Sequence, residues 1–254
     1  FHRTKERYKT IKKETTAKKK THPLKTIKIL CRNKYFILIT LAFAVIYTSL
    51  GLTGGSRIYY AKYVLGDEML NSTMTMFNYI PTILTIMLIP VFTKRFGKIK
   101  ALFVGFLFYA AGLVLEIAGP VNLPMIYTGL VLQGIGHAAL YSCLFAIVGD
   151  VVDYSEWKDG IREEGITYSV TSFGQKIGTG LGTAALGWIL AAGHYDGTAA
   201  VQSASAIFAI KGLFLYLPLV ITVIVLIIWY LFMGIDKIYP TVRKELDERR
   251  EKAE

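Results

Sequence analysis

Apolar positions in this chain gather into six stretches, each close to the length that crosses a hydrocarbon layer, and polar positions collect between them. A hydrocarbon core of roughly 30 Å takes about 20 helical residues, because each adds about 1.5 Å of rise. The stretches are 36–55, 72–92, 101–118, 125–148, 166–192 and 213–233. They predict six helices. Breakers fall between them, at Gly66-Asp67, Gly119-Pro120, Pro124 and from His194 to Gly197. Short segments of strict alternation, the mark of a membrane β-barrel, do not occur. The predicted class is an all-α membrane protein: a six-helix transmembrane bundle over 35–235, between a basic segment 1–34 and a charged tail 236–254.

Composition agrees, since 53% of the 254 residues are hydrophobic and only 19% are charged, with a mean hydropathy of +0.44. Charge is concentrated. The first 34 residues hold 13 Lys/Arg against 2 Glu, whereas 35–235 hold 10 of each sign, so the net +11 is local. That distribution excludes a uniformly basic nucleic-acid binder, and no nucleic-acid partner is expected. Basic residues also collect at Lys94, Arg95, Lys98 and Lys100, and the tail carries six more beside six acids. All three groups fall on one side of an even number of helices, which makes both ends cytoplasmic and the bilayer the main partner. The acidic stretch 150–164 lies on the same side; acids weigh little in this rule. Cys31 and Cys143 are far apart and the four His are scattered, so neither a disulfide framework nor a metal site is expected. The chain opens on Phe1 instead of Met, and reads as part of a longer protein.

Several polar residues sit inside the spans. Lys176 lies ten residues after Ile166, roughly 15 Å into its helix and near the midplane. A charge there costs on the order of 2.5 to 3.5 kcal/mol on insertion scales, so it either pairs with a carboxylate between helices or lines a wet cavity. Tyr168, Ser172 and Lys176 recur at four-residue steps, with Thr179 and Gly180 continuing the face. The second span carries Thr75, Asn78, Tyr79, Thr82 and Thr85, and the fourth carries Gln133, His137 and Tyr141. Such rows serve as interhelical hydrogen bonds or as the lining of a lumen for a polyhydroxylated solute, and their number favours the lumen. Gly134 and Ala138, and Gly174, Gly178 and Gly182, give small residues at four-residue steps for close helix approach. Arg57 falls with Lys62, Asp67 and Glu68 in a connector, and Glu116 and Lys211 fall at span ends, where they are expected at the interface. Asp150, Asp153 and Glu156 share a helical face available to Arg or Lys from neighbouring loops. No nucleotide loop or nucleophile elbow is present, so no enzyme is expected.

The stretch Asp150-Val-Val-Asp-Tyr-Ser-Glu-Trp-Lys158, Arg162 before its Glu pair, and Tyr168-Ser-Val-Thr-Ser-Phe-Gly-Gln-Lys176 together resemble the signature of the glycoside-pentoside-hexuronide:cation symporters, the melibiose-carrier-like group of the major facilitator superfamily. The resemblance covers essentially the whole chain and implies the carboxy-terminal half of that fold, helices seven to twelve. It implies a sugar, glycoside or hexuronide as substrate, moved in symport with Na+ or H+ by alternating access across the inner cell membrane. Lys176, Ser172 and Tyr141 correspond to cavity residues of the family, and Gln133 and His137 join them as candidate substrate contacts. Asp150, Asp153 and Arg162 correspond to the inner charged gate. The family's cation-binding carboxylates belong to the amino-terminal six-helix bundle, a partner this chain does not contain, and no other cofactor is implied. A non-transporting scaffold or sensor that keeps the fold is the alternative.

Overall fold

In the computed structural model, residues 30, 32–160, 162–199 and 201–251 are described. The basic segment 1–34 and Cys31 lie almost entirely outside them. Helices make up most of the described residues: α1 Lys34–Tyr63, α2 Leu70–Ile86, α3 Ile89–Phe96, α4 Lys98–Ala118, α5 Leu123–Asp159, α6 Glu164–Ala192, α7 Ala204–Lys211, a π-helical turn Gly212–Tyr216, α8 Leu217–Phe232 and α9 Gly234–Glu251. No strand occurs among them.

Each sequence breaker has a visible local effect. Gly66, with φ +81, turns the chain after α1, and the Asp67 carboxylate then accepts from the Met69 N–H at 2.8 Å. The second span is broken. Pro90 has no N–H and its ring excludes the carbonyl four residues back, so α2 stops at Ile86 and α3 leaves at 55°. Pro218 acts similarly in the last span, where the turn before it widens and the Leu217 N–H reaches back to Gly212 O. The acidic stretch 150–164 is mostly helix. α5 continues to Asp159, and Gly160 at φ +66 ends it in the left-handed conformation.

α1, α4, α5 and the nearly continuous α7–α9 rod are long and apolar enough to cross a membrane, and so is the bent α2–α3 pair when it is counted as one span. α6 has the length, 29 residues, but its polar positions take it below the same apolarity. The protein is thus a multi-pass, all-α membrane protein. α6 lies along α1, and α4 and α2 lie along α5, with α8 behind α4 and α1. Glycines set the closest contacts. A Cβ added at Gly178 or Gly182 would sit 2.3 Å from Ala44 O or 2.1 Å from Thr48 O, and one at Gly134 would sit 2.3 Å from Asn78 O.

Two apolar clusters fill the interior. The larger joins Phe36, Ile39 and Phe43 of α1 to Leu102, Leu144, Ile147 and Trp229, and the other joins Leu52, Tyr60, Met74, Leu130 and Phe214. Polar side chains occupy the level between them.

Candidate functional site

α6 presents two unlike sides. Its Gly174, Gly178 and Gly182 are buried on α1, and the opposite side carries Tyr168, Ser169, Ser172, Phe173 and Lys176 around an open depression of about 410 Å³. Lys176 is exposed there, and no carboxylate among the described residues comes within ion-pair distance. Tyr168 leans across to α5, its hydroxyl 3.5 Å from Phe145 O. One turn earlier on α5, Tyr141 is 46% exposed, in electrostatic range of Tyr47 on α1 and Tyr79 on α2. Tyrosines from four helices thus lie on or near this side of the bundle, although the depression itself is lined by α6 alone. A phenol ring supplies an apolar plate with a hydroxyl at its edge, which is what a sugar ring needs from a wall.

The fourth-span row divides. Tyr141 reaches the open face, whereas the Gln133 side chain is 5% exposed and turned towards α4, where its amide donates to Glu116 Oε1 at 2.7 Å. His137 lies between them, its ring 5.0 Å from that of Tyr109 and 5.8 Å from that of Tyr141, with Nδ1 buried and unpartnered. The second-span row divides as well. Asn78 donates to Leu130 O at 3.1 Å and Thr82 to Gly134 O at 3.0 Å, so these two bind helices together. Tyr79, between them, is 48% exposed.

Two charges are not where the sequence pattern puts them. Glu116, expected at the interface, is completely buried between α4 and α5. Arg57, expected in a connector, belongs to the last third of α1 and donates to Thr75 Oγ1 at 3.2 Å. Both lie near span ends in sequence, and α1 runs eight residues past the predicted end of its span. Only the packing of α1, α4 and α5 around that level encloses them. The residue type and position signalled neither.

The charges at the end of α5 and the start of α4 and α6 form a connected set. Asp150 accepts from Lys98 Nζ at 2.6 and 2.7 Å, tying α5 to the start of α4. Arg162 donates to Asp153 at 2.8 Å and Glu156 at 2.5 Å and also pairs with Glu164. Hydrogen bonds that the guanidinium donates to Glu156, then to Asp153 and Glu164, outweigh partial burial and hold it charged above its ordinary range. Asp150 and Asp153 thus take different basic partners, although they share a helix face. Residues of the tail close the set: Tyr239 donates to Asp153 at 2.9 Å and Trp157 donates to Glu245 at 2.7 Å. The tail's even charge balance concealed that role. No group of three His, Cys, Asp or Glu among the described residues has a metal-binding arrangement.

Residues 1–237 match the family described as MFS/sugar transport protein. The chain belongs to that family. Its similar proteins include an isoprimeverose transporter of Lactiplantibacillus pentosus, 31% identical over 98% of this chain and 51% of that protein. A putative 2,3-dihydroxypropane-1-sulfonate exporter of Salmonella typhimurium is 28% identical over 97% of this chain and 53% of that one. A glucuronide carrier protein homolog of Escherichia coli is 26% identical over 89% and 50%. The chain spans about half the length of the curated relatives it matches. Membership in a transporter family agrees with a membrane bundle that carries polar side chains on an exposed side of α6.

Proposed function

We propose that this chain is the carboxy-terminal bundle, helices seven to twelve, of a symporter that moves a sugar, glycoside or hexuronide with Na+ or H+ by alternating access. The substrate is held between this bundle and an amino-terminal six-helix bundle, against Lys176, Ser172 and Tyr141, and His137 lies just behind them. The observation that carries this reading is the open side of α6. An ammonium on a membrane helix is tolerated only beside water or an anion, and no described residue of the bundle supplies the anion. A facing bundle with carboxylates and a wet cleft would supply both. Gln133 is assigned to Glu116 instead of to the substrate, because its amide is already bonded there.

On this reading Asp150, Asp153 and Arg162 belong to the inner gate, with the bundle's two ends in the cytoplasm and the protein in the inner cell membrane. The names of the relatives, which include carriers for isoprimeverose and glucuronides, support a glycoside or hexuronide. The test is uptake by the complete transporter of a labelled panel that includes isoprimeverose and glucuronides, in wild type and Lys176→Ala. Accumulation is expected in the first and lost in the second. Wild-type accumulation in Lys176→Ala overturns the site assignment.

A further inference from the structure

Two charged side chains inside the bundle have no part in that reading. Glu116, on α4, is fully buried against α5. Gly129 makes the room for it: a Cβ there would lie 2.6 Å from Glu116 Cγ and 2.7 Å from Gly112 O. Gln133 Nε2 donates to Oε1 at 2.7 Å. Oε2 is buried and has no hydrogen-bond partner among the described residues. An ionised carboxylate so placed leaves an anionic oxygen bare in a low dielectric, whereas the neutral acid leaves only a hydroxyl unbonded, a far smaller cost.

The natural counter-charge is close but engaged elsewhere. Arg57 of α1 stands in electrostatic range of Glu116. Its guanidinium instead donates to Thr75 of α2, and its Nε is buried without a partner. A cation with a spare donor thus lies in electrostatic range of a carboxyl with a spare acceptor, and the two are not bonded. The other titratable groups facing Glu116 are Tyr60 from α1 and Tyr109 from its own helix. α5 presents the neutral Gln133, with His137 one turn further along in range of Arg57, and the π-helical turn brings Tyr216 beside Tyr60.

We propose that Glu116 is a proton-binding site of this bundle, protonated in the arrangement seen here and ionised when Arg57 leaves Thr75 to pair with it. On ionisation the electron pair stays on the carboxylate and the proton passes to water at the open face, where the row Tyr109, His137, Tyr141 emerges. Neutral Glu116 leaves Arg57 to hold α1 to α2; ionised Glu116 draws it towards α4. Protonation thereby selects between two arrangements of α1, the helix on which α6 and its open face are packed. Its use in transport rests on the symport reading above, but its chemistry does not.

The experiment is infrared difference spectroscopy of the purified complete transporter in lipid, titrated from acid to alkaline pH without sugar. Wild type is expected to show a protonated-carboxyl carbonyl band that disappears on alkalinisation, and Glu116→Gln is expected to lose that band. Glu116→Asp keeps a carboxyl at the same place and should keep a displaced band, which guards against a variant that merely misfolds. Arg57→Gln removes the cation that favours the ionised form, so the pH at which the band vanishes should rise by about one unit or more. A band unaffected by Glu116→Gln, or one from Glu116 that persists at every pH, overturns the proposal. Because no sugar is used, a failure of the substrate assignment leaves this result standing.

Discussion

Lys176 and Glu116 are each the single charge of the predicted span that holds it, 166–192 and 101–118, and the bundle treats them in opposite ways. Lys176 stands on the side of α6 away from α1, exposed beside hydroxyls and rings. Glu116 is enclosed by α4 and α5, with one oxygen bonded to Gln133 and the other bare. The difference arises from the glycines. On α6 Gly174, Gly178 and Gly182 occupy the side opposite the charge, so close packing with α1 pushes Lys176 outwards. Around Glu116 the glycines lie on the facing surfaces, Gly112 and Gly129, so close packing draws the charge in. Small residues decide which side of a helix is covered, and through that which charges meet water.

The strongest way to break this contrast is to fill a glycine on the packed side of α6. Gly178→Leu would drive a side chain into Ala44 O, 2.3 Å from its first carbon, and should cost about 3 kcal/mol or more of bundle stability. Gly180→Leu meets nothing within 4 Å and should leave a fluorescence-detected melting profile unchanged. Equal loss in both would mean that packing against α1 does not set the orientation of α6.

Next in size is removal of the enclosed charge. Glu116→Ala leaves Gln133 unpaired beside a cavity and should cost about 2–4 kcal/mol, whereas Lys176→Ala, exposed and unpaired, should stay within about 0.5 kcal/mol. The same melting assay ranks them. A reversed order would place Lys176, not Glu116, inside the packed bundle.

A smaller loss than at Glu116 is expected at the Lys98–Asp150 pair. Asp150→Asn leaves Lys98, whose side chain is 34% exposed, without its carboxylate, and should cost about 1–2 kcal/mol, less in high salt. No change at low salt would show that this pair does not hold α4 to α5.

Much of the bundle was legible in the chain. The apolar stretches, the Gly and Pro breakers and the polar row Tyr168, Ser172, Lys176 all express rules that act within one helix or one turn. The inner acidic face was legible in the same sense, since Asp150, Asp153 and Glu156 follow from helical spacing. Two of their partners were not: Lys98 and Tyr239 come from helices distant in sequence. Gln133 and Tyr141 show the limit most clearly, since one periodic row placed them together and the neighbouring helices parted them, one to Glu116 and one to the open face.

What the chain alone determined, then, is everything governed by hydrophobic length and local geometry: membrane-spanning helices, where they end, and which residues share a side. Tertiary structure decided which of those sides are covered. Burial is a property of two surfaces meeting, so the solvation of a charge such as Glu116 depends on glycines and carbonyls of another helix, and no periodicity within its own helix carries that information.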